Sequence, residues 1–326
     1  MASIRDVAQK AGVAVSTVSR VLNNNGYVAA DTRQKVLHTM KELDYMPNEV
    51  ARNLFHNRTN FIGVMVPDIA HPFYATVIKY IEKELYHHGY KVVLCNTVEK
   101  SDREKEFVDM LRRHIVDGII MGAHSLEIEK YRNLNLPVVA LDRIIEGLPN
   151  ICVDHCKGGR LAAEALLHSG CRNVVQVMGY RKVQSYSEQR HIIFSEVMKS
   201  HGVQVNSVEL AWNLFDFQEY VNVARKTLDD MPDIDGIFAT DMVAMAFIKL
   251  LLERGRSIPE EVRIVGYDGT SYAESCSPSL TTIVQPMAEL GKTAADAVLK
   301  LIDGQTLETD QILLDVELRQ GNTTFS

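Results

Sequence analysis

Ser16, Thr17, Ser19, Arg20 and Asn23 stand close together in the chain and, if the segment is helical, share its outward side. Arg20 can take the O6 and N7 of a guanine through two parallel hydrogen bonds in a major groove. The hydroxyls and the amide suit phosphate oxygens, which fix register without reading sequence. For any one of these residues a solvated helix face is the plainer reading; their grouping favours nucleic acid. A second group is acidic: Asp142, Asp154, Asp241 and Asp268 each follow an apolar run that reads as a strand. Asp68 stands in the same relation to the first such run, and Arg190 lies in the loop-helix region after the sixth. Each acid alone is more often a helix cap. Together, with the His71-Pro72-Phe73-Tyr74 run and Phe215 or Trp212 for stacking, they suit a polyhydroxylated ligand. Such a ligand needs paired acceptors for adjacent hydroxyls and flat apolar faces for its C–H surface.

The chemistry of turnover is missing from this list. No Gly-rich phosphate loop, no G-x-S-x-G elbow and no metal motif occurs, so the acids suit binding better than catalysis. Cys152-Val153-Asp154-His155-Cys156 has no second ligand cluster at zinc-like spacing and reads as a buried strand entering a loop. No metal and no cofactor are expected.

The first group needs short helices to present it. Ile4, Val7, Ala8 and Ala11 fall on one face of a helix that Gly12 ends. Val13-Ala14 makes a turn, and a second helix from about Val15 to Leu22 turns Val18, Val21 and Leu22 inward. Two short helices joined at a glycine form a helix-turn-helix. A third helix, capped by Asp31 or Thr32, buries Val36, Leu37, Met40 and Leu43. Beyond Pro47 a short helix places Val50, Ala51 and Leu54 on one side with Arg52 and Arg58 nearby. Two readings stay open there: Leu54 as a wedge into a minor groove, or a helix docked on the remainder of the chain.

The second group needs strand ends. From Phe61 onward, apolar runs of strand length alternate with amphipathic helices, which makes βαβ units and parallel sheets, an α/β architecture. The pattern restarts near Asn173, and Val116-Asp117-Gly118-Ile119-Ile120 returns as Ile234-Asp235-Gly236-Ile237-Phe238. Two similar lobes follow, with a ligand expected in the cleft beyond the carboxyl ends of their strands. The repeated phrase itself reads as the turn into a strand. Ser279 to Met287 reads as a crossover from the second lobe back to the first, and the chain closes without leucine heptads, so a dimer without a tetramerising coil is expected.

Composition agrees with this division. The chain has 326 residues, 46% hydrophobic and 24% charged, enough for two or three globular domains. Its longest strongly apolar stretch, Met242 to Leu252, carries Lys249, and the first residues lack the apolar core of a signal peptide, so an intracellular, cytoplasmic protein without a membrane span is expected. Five scattered cysteines fit reduced thiols. The net charge of −7 hides an asymmetry, because residues 1–58 hold eight Lys/Arg against five Asp/Glu, a surplus of +3. A basic head on an acidic body suggests that only the head meets a polyanion.

The run A-S-I-R-D-V-A-Q-K-A-G-V-A-V-S-T-V-S-R-V-L-N, with T-R-Q-K-V and L-D-Y-M-P-N-E-V-A-R-N-L, resembles the lactose/galactose repressor (LacI/GalR) family, and the similarity continues through the body. The resemblance implies a dimeric bacterial transcription factor with a sugar-binding, periplasmic-binding-protein-like body. It puts Val15 and Ser16 at the specificity positions beside Arg20, and Ser3, Thr17, Ser19, Asn23, Tyr27 and Thr32 at backbone-contacting positions. Leu54 matches the hinge leucine, while Ala14 and Ala29 replace hydroxyls that some members use on phosphate. In the body it matches Phe73 and Tyr74 to aromatic ligand contacts, Asp142 to a strand-end acid and Arg190 to the effector clamp. Asp268 matches the hydroxyl-binding Asp, and Gln285 lies close to the ligand. Thr240-Asp241 departs from a frequent Asn-Asp and alters the pocket. L-L-H-S-G-C-R-N-V-V-Q-V-M and Asp142-Arg143 look most like the sucrose-operon branch.

The organisation expected is a head at 1–58 with its hinge helix at about 48–57, and a body at 59–326. Lobe 1 takes about 61–156 and 286–316, and lobe 2 about 157–285 and 317–326. The function expected is repression of a carbohydrate operon at a palindromic operator, controlled by a sugar or sugar phosphate held at Phe73, Tyr74, Asp142, Asp154, Arg190, Phe215, Asp241, Asp268 and Gln285. An intracellular sugar-binding protein and a sugar-metabolising enzyme are the competing classes.

Overall fold

The structure is a computed structural model that describes residues 2–23, 25–46, 58–97, 102–122, 136–183 and 185–325. It divides into two compact units, Met1–Asn60 and Phe61–Ser326.

In the first unit α1 spans Ile4–Ala11, α2 Val15–Asn23 and α3 Ala30–Glu42. Ser3 and Asp6 form a capping box that satisfies free N–H groups at the start of α1, and Gly12 closes it in the left-handed region. Val7, Ala8, Ala11, Val18, Val21 and Val36 make the core, with Ile4, Leu22, Met40 and Leu43 packed against it. Two expectations for α3 need correction. Its N-cap is Ala29, with no side-chain cap bond, so neither Asp31 nor Thr32 caps it. Leu37 is half exposed, and Thr39 is buried in the stripe with its hydroxyl donating to the Lys35 carbonyl at 2.9 Å. That bond satisfies the hydroxyl and lets Thr39 replace Leu37 on the inner face. The hinge expected at about 48–57, Leu54 included, lies outside the described residues.

The second unit holds two sheets. The first contains β1 (Phe61–Val66), β2 (Lys91–Asn96), β3 (Gly118–Met121), β4 (Val138–Leu141), β5 (Asn150–Val153) and β11 (Gln311–Leu314), all parallel in the order β11-β5-β4-β3-β1-β2. The helices α4 (Pro72–His87), α5 (Asp102–Arg112) and α11 (Met287–Ile302) pack on it. The second contains β6 (Asn173–Met178), β7 (Gln204–Glu209), β8 (Gly236–Phe238), β9 (Arg263–Asp268), β10 (Thr281–Val284) and β12 (Glu317–Arg319) in the order β12-β10-β9-β8-β6-β7. Only β12 runs antiparallel there. Its helices are α6 (His155–His168), α7 (Glu188–Ser200), α8 (Phe217–Asp230), α9 (Asp241–Glu253) and the short α10 (Ser271–Ser275). Central strands are buried along their whole length, as helices on both faces of a parallel sheet require.

The repeated Asp-Gly phrase occupies equivalent places. The Asp117 N–H donates to the Phe61 carbonyl, and the Asp235 N–H donates to that of Asn173, each one strand over. A Cβ on Gly118 would stand 2.7 Å from Val298, and one on Gly236 2.7 Å from Val174, so both strands start where only glycine fits. The chain passes between the sheets three times: at Asp154, at Gln285-Pro286 and at Asp315-Val316. The second passage is the crossover expected from Ser279 to Met287. The Lys157 ammonium meets the Asp315 carboxylate at 2.6 Å beside two of these passages, an exposed pair of modest energetic worth.

Candidate functional site

The carboxyl ends of β1, β4, β6 and β9 open on one cleft between the two lobes, with a cavity of about 190 Å³. That is small for a ligand pocket and suits a compact ligand better than an extended one. Lobe 1 contributes His71, Phe73, Tyr74, Asp142 and Arg143; lobe 2 contributes Ser185, Arg190, Phe215 and Asp268, and Gln285 lines it from a passage. The cleft therefore gathers seven of the nine effector residues expected from sequence: Phe73, Tyr74, Asp142, Arg190, Phe215, Asp268 and Gln285.

Its apolar wall is aromatic. Phe73 and Tyr74 meet edge to face at 5.2 Å, and Phe215, from the other lobe, meets His71 at 5.7 Å and Tyr74 at 6.2 Å. The Tyr220 hydroxyl donates to the Leu214 carbonyl at 2.9 Å and steadies the loop that carries Phe215. Trp212 stays 37% exposed and outside the lining. His71 is buried at the start of α4 with its Nδ1 unpaired, and burial pushes its pKa down to about 4 against the opposing pull of Asp68. A neutral imidazole with an open nitrogen is a polar feature on an otherwise apolar wall.

The polar side is tightly connected. Asp142 ends β4 in the left-handed region (φ 52°). Its Oδ1 lies 2.8 Å from His155 Nε2 and its Oδ2 2.8 Å from the Ser185 hydroxyl. Burial pushes the Asp142 carboxyl up, but His155, Ser185 and Arg190 outweigh it and hold the group below its ordinary value. Asp268 ends β9 at φ 122°, a strained place for a residue with a Cβ. It accepts from Gln285 Nε2 at 2.8 Å. Burial first, then the neighbouring Asp241, push its pKa up, with Arg190 and Gln285 opposing. The Arg190 guanidinium lies 4.1 Å over the Tyr267 ring, and its Nε donates to His191 Nε2 at 3.3 Å. His191 in turn meets Gln176 at 3.2 Å, and Gln176 meets Ser207 at 3.0 Å. The clamp expected at Arg190 is thus braced from behind.

Asp154 and Asp241 lie elsewhere and do not line the cleft. Asp154 accepts from the Lys157 N–H at 2.8 Å as the N-cap of α6. Asp241, fully buried, accepts from the Thr270 N–H at 2.7 Å, the Thr270 hydroxyl at 2.8 Å and the Thr282 hydroxyl at 2.6 Å. Asp154 thus serves as a helix cap, while Asp241 ties the start of α9 to Thr270 and to Thr282 of β10. In the other direction, the sequence reading missed Ser185, His155 and Tyr267. One signal for Tyr267 was legible: Gly158-Gly159 inside α6. A Cβ at Gly158 would stand 2.6 Å from the Tyr267 hydroxyl, and one at Gly159 would collide with the Arg190 carbonyl.

In the head, Val15, Ser16 and Arg20 are exposed on α2, with Thr17 and Ser19 half-buried beside them. The Asn23 amide donates to the Ser19 hydroxyl at 3.3 Å. Tyr27 is 91% exposed, Thr32 is half-buried, and Ser3 is exposed but already engaged as the cap of α1.

Comparison with known proteins places both units. Residues 3–48 match the family described as bacterial regulatory proteins, lacI family, and residues 59–321 match periplasmic binding proteins and sugar binding domain of LacI family. The chain is 38% identical to the ribose operon repressor of Halalkalibacterium halodurans, over 99% of this chain and 97% of that one. It is 36% identical to the sucrose operon repressor of Streptococcus mutans, over 96% and 97%. Among solved structures, the lac repressor dimer bound to operator and the anti-inducer ONPF superposes with a TM-score of 0.88 at 26% identity, over 100% and 99% of the two chains.

Proposed function

Because the chain belongs to the LacI family of bacterial regulatory proteins, we propose that it represses a carbohydrate-utilisation operon and releases its operator when a sugar enters the cleft between the lobes. It is a DNA-binding transcriptional regulator with a sugar-binding body, and among the described residues no helix is long and apolar enough to cross a membrane. The observation that carries the effector reading is that both lobes offer ligand-type groups to one cavity. Aromatic faces come mainly from lobe 1, and Arg190 and Asp268 come from lobe 2. A ligand touching both sets prefers one lobe arrangement over another, and only such a difference in affinity can shift a conformational equilibrium. A coupling of about 1–3 kcal/mol changes operator affinity roughly 5- to 150-fold.

Relatives named as repressors of ribose and sucrose operons support a sugar or sugar phosphate as the ligand class, and the small cavity favours a monosaccharide. Val15, Ser16 and Arg20 would read bases; Ser3, Thr17, Ser19, Asn23, Tyr27 and Thr32 would hold the backbone of a palindromic operator bound by a homodimer, and Leu54 would enter its minor groove. The protein acts without turnover. Calorimetric titration of the full chain with D-ribose, sucrose and their phosphates tests the effector reading, alongside operator binding at each saturating sugar. Micromolar to millimolar binding with loss of operator affinity is expected. Binding that leaves operator affinity unchanged, or chemical conversion of the sugar, would overturn it.

A further inference from the structure

A chain of hydrogen bonds runs from Asp142 and Ser185 of the cavity wall through His155 to Tyr267 and joins the two lobes. Asp142 belongs to lobe 1, at the end of β4; His155 opens α6 and Tyr267 lies in β9, both in lobe 2. His155 is buried, with Nε2 at 2.8 Å from Asp142 Oδ1 and Nδ1 at 2.9 Å from the Tyr267 hydroxyl. The proton order follows from the partners. A carboxylate only accepts, so Nε2–H donates to it, and Nδ1 pairs with the Tyr267 O–H. Burial raises the Tyr267 pKa above its ordinary value, which keeps that proton on the phenol. The Tyr267 ring carries the Arg190 guanidinium at 4.1 Å. Ser185, also from lobe 2, closes on the same acid, 2.7 Å from the Asp142 carbonyl oxygen and 2.8 Å from Oδ2.

From this geometry we propose that His155 is a positioning residue that couples the lobes, bridging Asp142 on one side to Tyr267 and the stacked Arg190 on the other. The proposal rests on the reading of the cleft as an effector site, but adds how occupancy crosses between lobes. Both Asp142 oxygens face partners in lobe 2, so moving the lobes apart strips a buried carboxylate of charge-assisted hydrogen bonds. Any ligand that draws Arg190 away from Tyr267 disturbs the phenol that orients His155, and through it the hold on Asp142. Asp142 is then a latch between lobes as much as a hydroxyl acceptor. Gly158 and Gly159 belong to the same device, because side chains there would drive Tyr267 and the start of α7 away from α6.

The test uses the full chain, an operator duplex selected from random sequence, and D-ribose and sucrose as probes. His155→Ala should weaken sugar binding by less than about tenfold, while the fold-change in operator affinity on saturation collapses toward one from a wild-type value in the roughly 5- to 150-fold range. Added imidazole should restore that fold-change, and His155→Gln, which keeps one donor for Asp142, should fall between. A response that survives in His155→Ala, or that imidazole leaves unmoved, overturns the proposal. A ligand-free arm separates it from the effector reading. With circular dichroism unchanged, amide exchange in His155→Ala should rise at 139–142 and at 185–190 together, and imidazole should reverse both. Exchange that rises only in lobe 2 overturns the coupling role. If neither sugar binds the wild type, the effector reading fails, and this arm alone decides the proposal.

Discussion

The outward face of α2 and the cleft of the body both carry groups that suit a polar ligand, but they hold them in opposite ways. On α2, Ser16 and Arg20 are exposed, and their polar atoms are left to solvent or to a partner. In the cleft, Asp142, Arg190 and Asp268 are buried to different degrees and each is already bonded to, or stacked on, a neighbour. An exposed face keeps the meaning of its residue types, because nothing else competes for them. A buried group means only what its partners allow. Asp142 and Asp241 make the point: both follow a strand, yet one faces a cavity between lobes and the other is consumed by two threonines.

The strongest way to break this contrast is to remove a group the cleft depends on. Arg190→Ala should lower sugar affinity by about 3 kcal/mol, roughly a hundredfold, since it deletes a charged donor and leaves buried acids without their cation. Calorimetry with parallel DNA titration reads sugar affinity and the operator response to sugar together. An Arg190→Ala protein that still responds at wild-type sugar concentrations would place the effector elsewhere.

Acid should expose a second difference, because burial perturbs a histidine of the cleft. His71 has an ordinary pKa near 6.5 in the unfolded chain and about 4 when folded. Below pH 6.5 the unfolded state takes the proton first, so stability present at neutral pH is lost as pH falls from about 6.5 toward 4. His71→Asn should remove about 2 kcal/mol of that loss, visible as a smaller drop in Tm between pH 7 and pH 4.5. An unchanged drop would mean that the imidazole charges freely in the folded protein.

On the exposed side, Arg20→Ala should cost about 1–3 kcal/mol of operator affinity and relax preference at one base pair per half-site. Equal losses on selected and random duplexes would reduce Arg20 to a phosphate contact. The smallest effect sharpens the contrast within the acids. Asp154→Ala should cost about 1 kcal/mol of stability through its lost cap and leave sugar affinity as it was. A drop in sugar affinity there would return Asp154 to the cleft.

Much of this was legible in the residues. The three head helices follow from where apolar positions recur and where Gly12 interrupts them, and α1 begins and ends where the pattern predicts. The βα alternation fixed two parallel sheets because a strand covered on both faces has to be apolar throughout. Phe73, Arg190 and Asp268 could be picked out because cleft-forming loops follow strand ends in such sheets. The failures share one cause. The outward turn of Leu37 and the separate fates of Asp154 and Asp241 depend on one to three hydrogen bonds to neighbours, and periodicity carries no record of those.

The sequence by itself determined the kind of molecule: a basic helix-turn-helix head with an exposed polar face on α2, and a two-lobed α/β body. Local pattern suffices there, since helical and strand periods are properties of nearby residues. Only the tertiary structure decided which acids reach the cleft, which caps a helix and which is consumed by buried threonines. It also brought Asp142 within 2.8 Å of His155 across the lobes, and His155 within 2.9 Å of Tyr267, which lies 112 residues further along the chain. Contacts at that separation are set by how two sheets and their helices pack, and in the sequence their one local trace is the pair Gly158-Gly159, small enough to let the partners close.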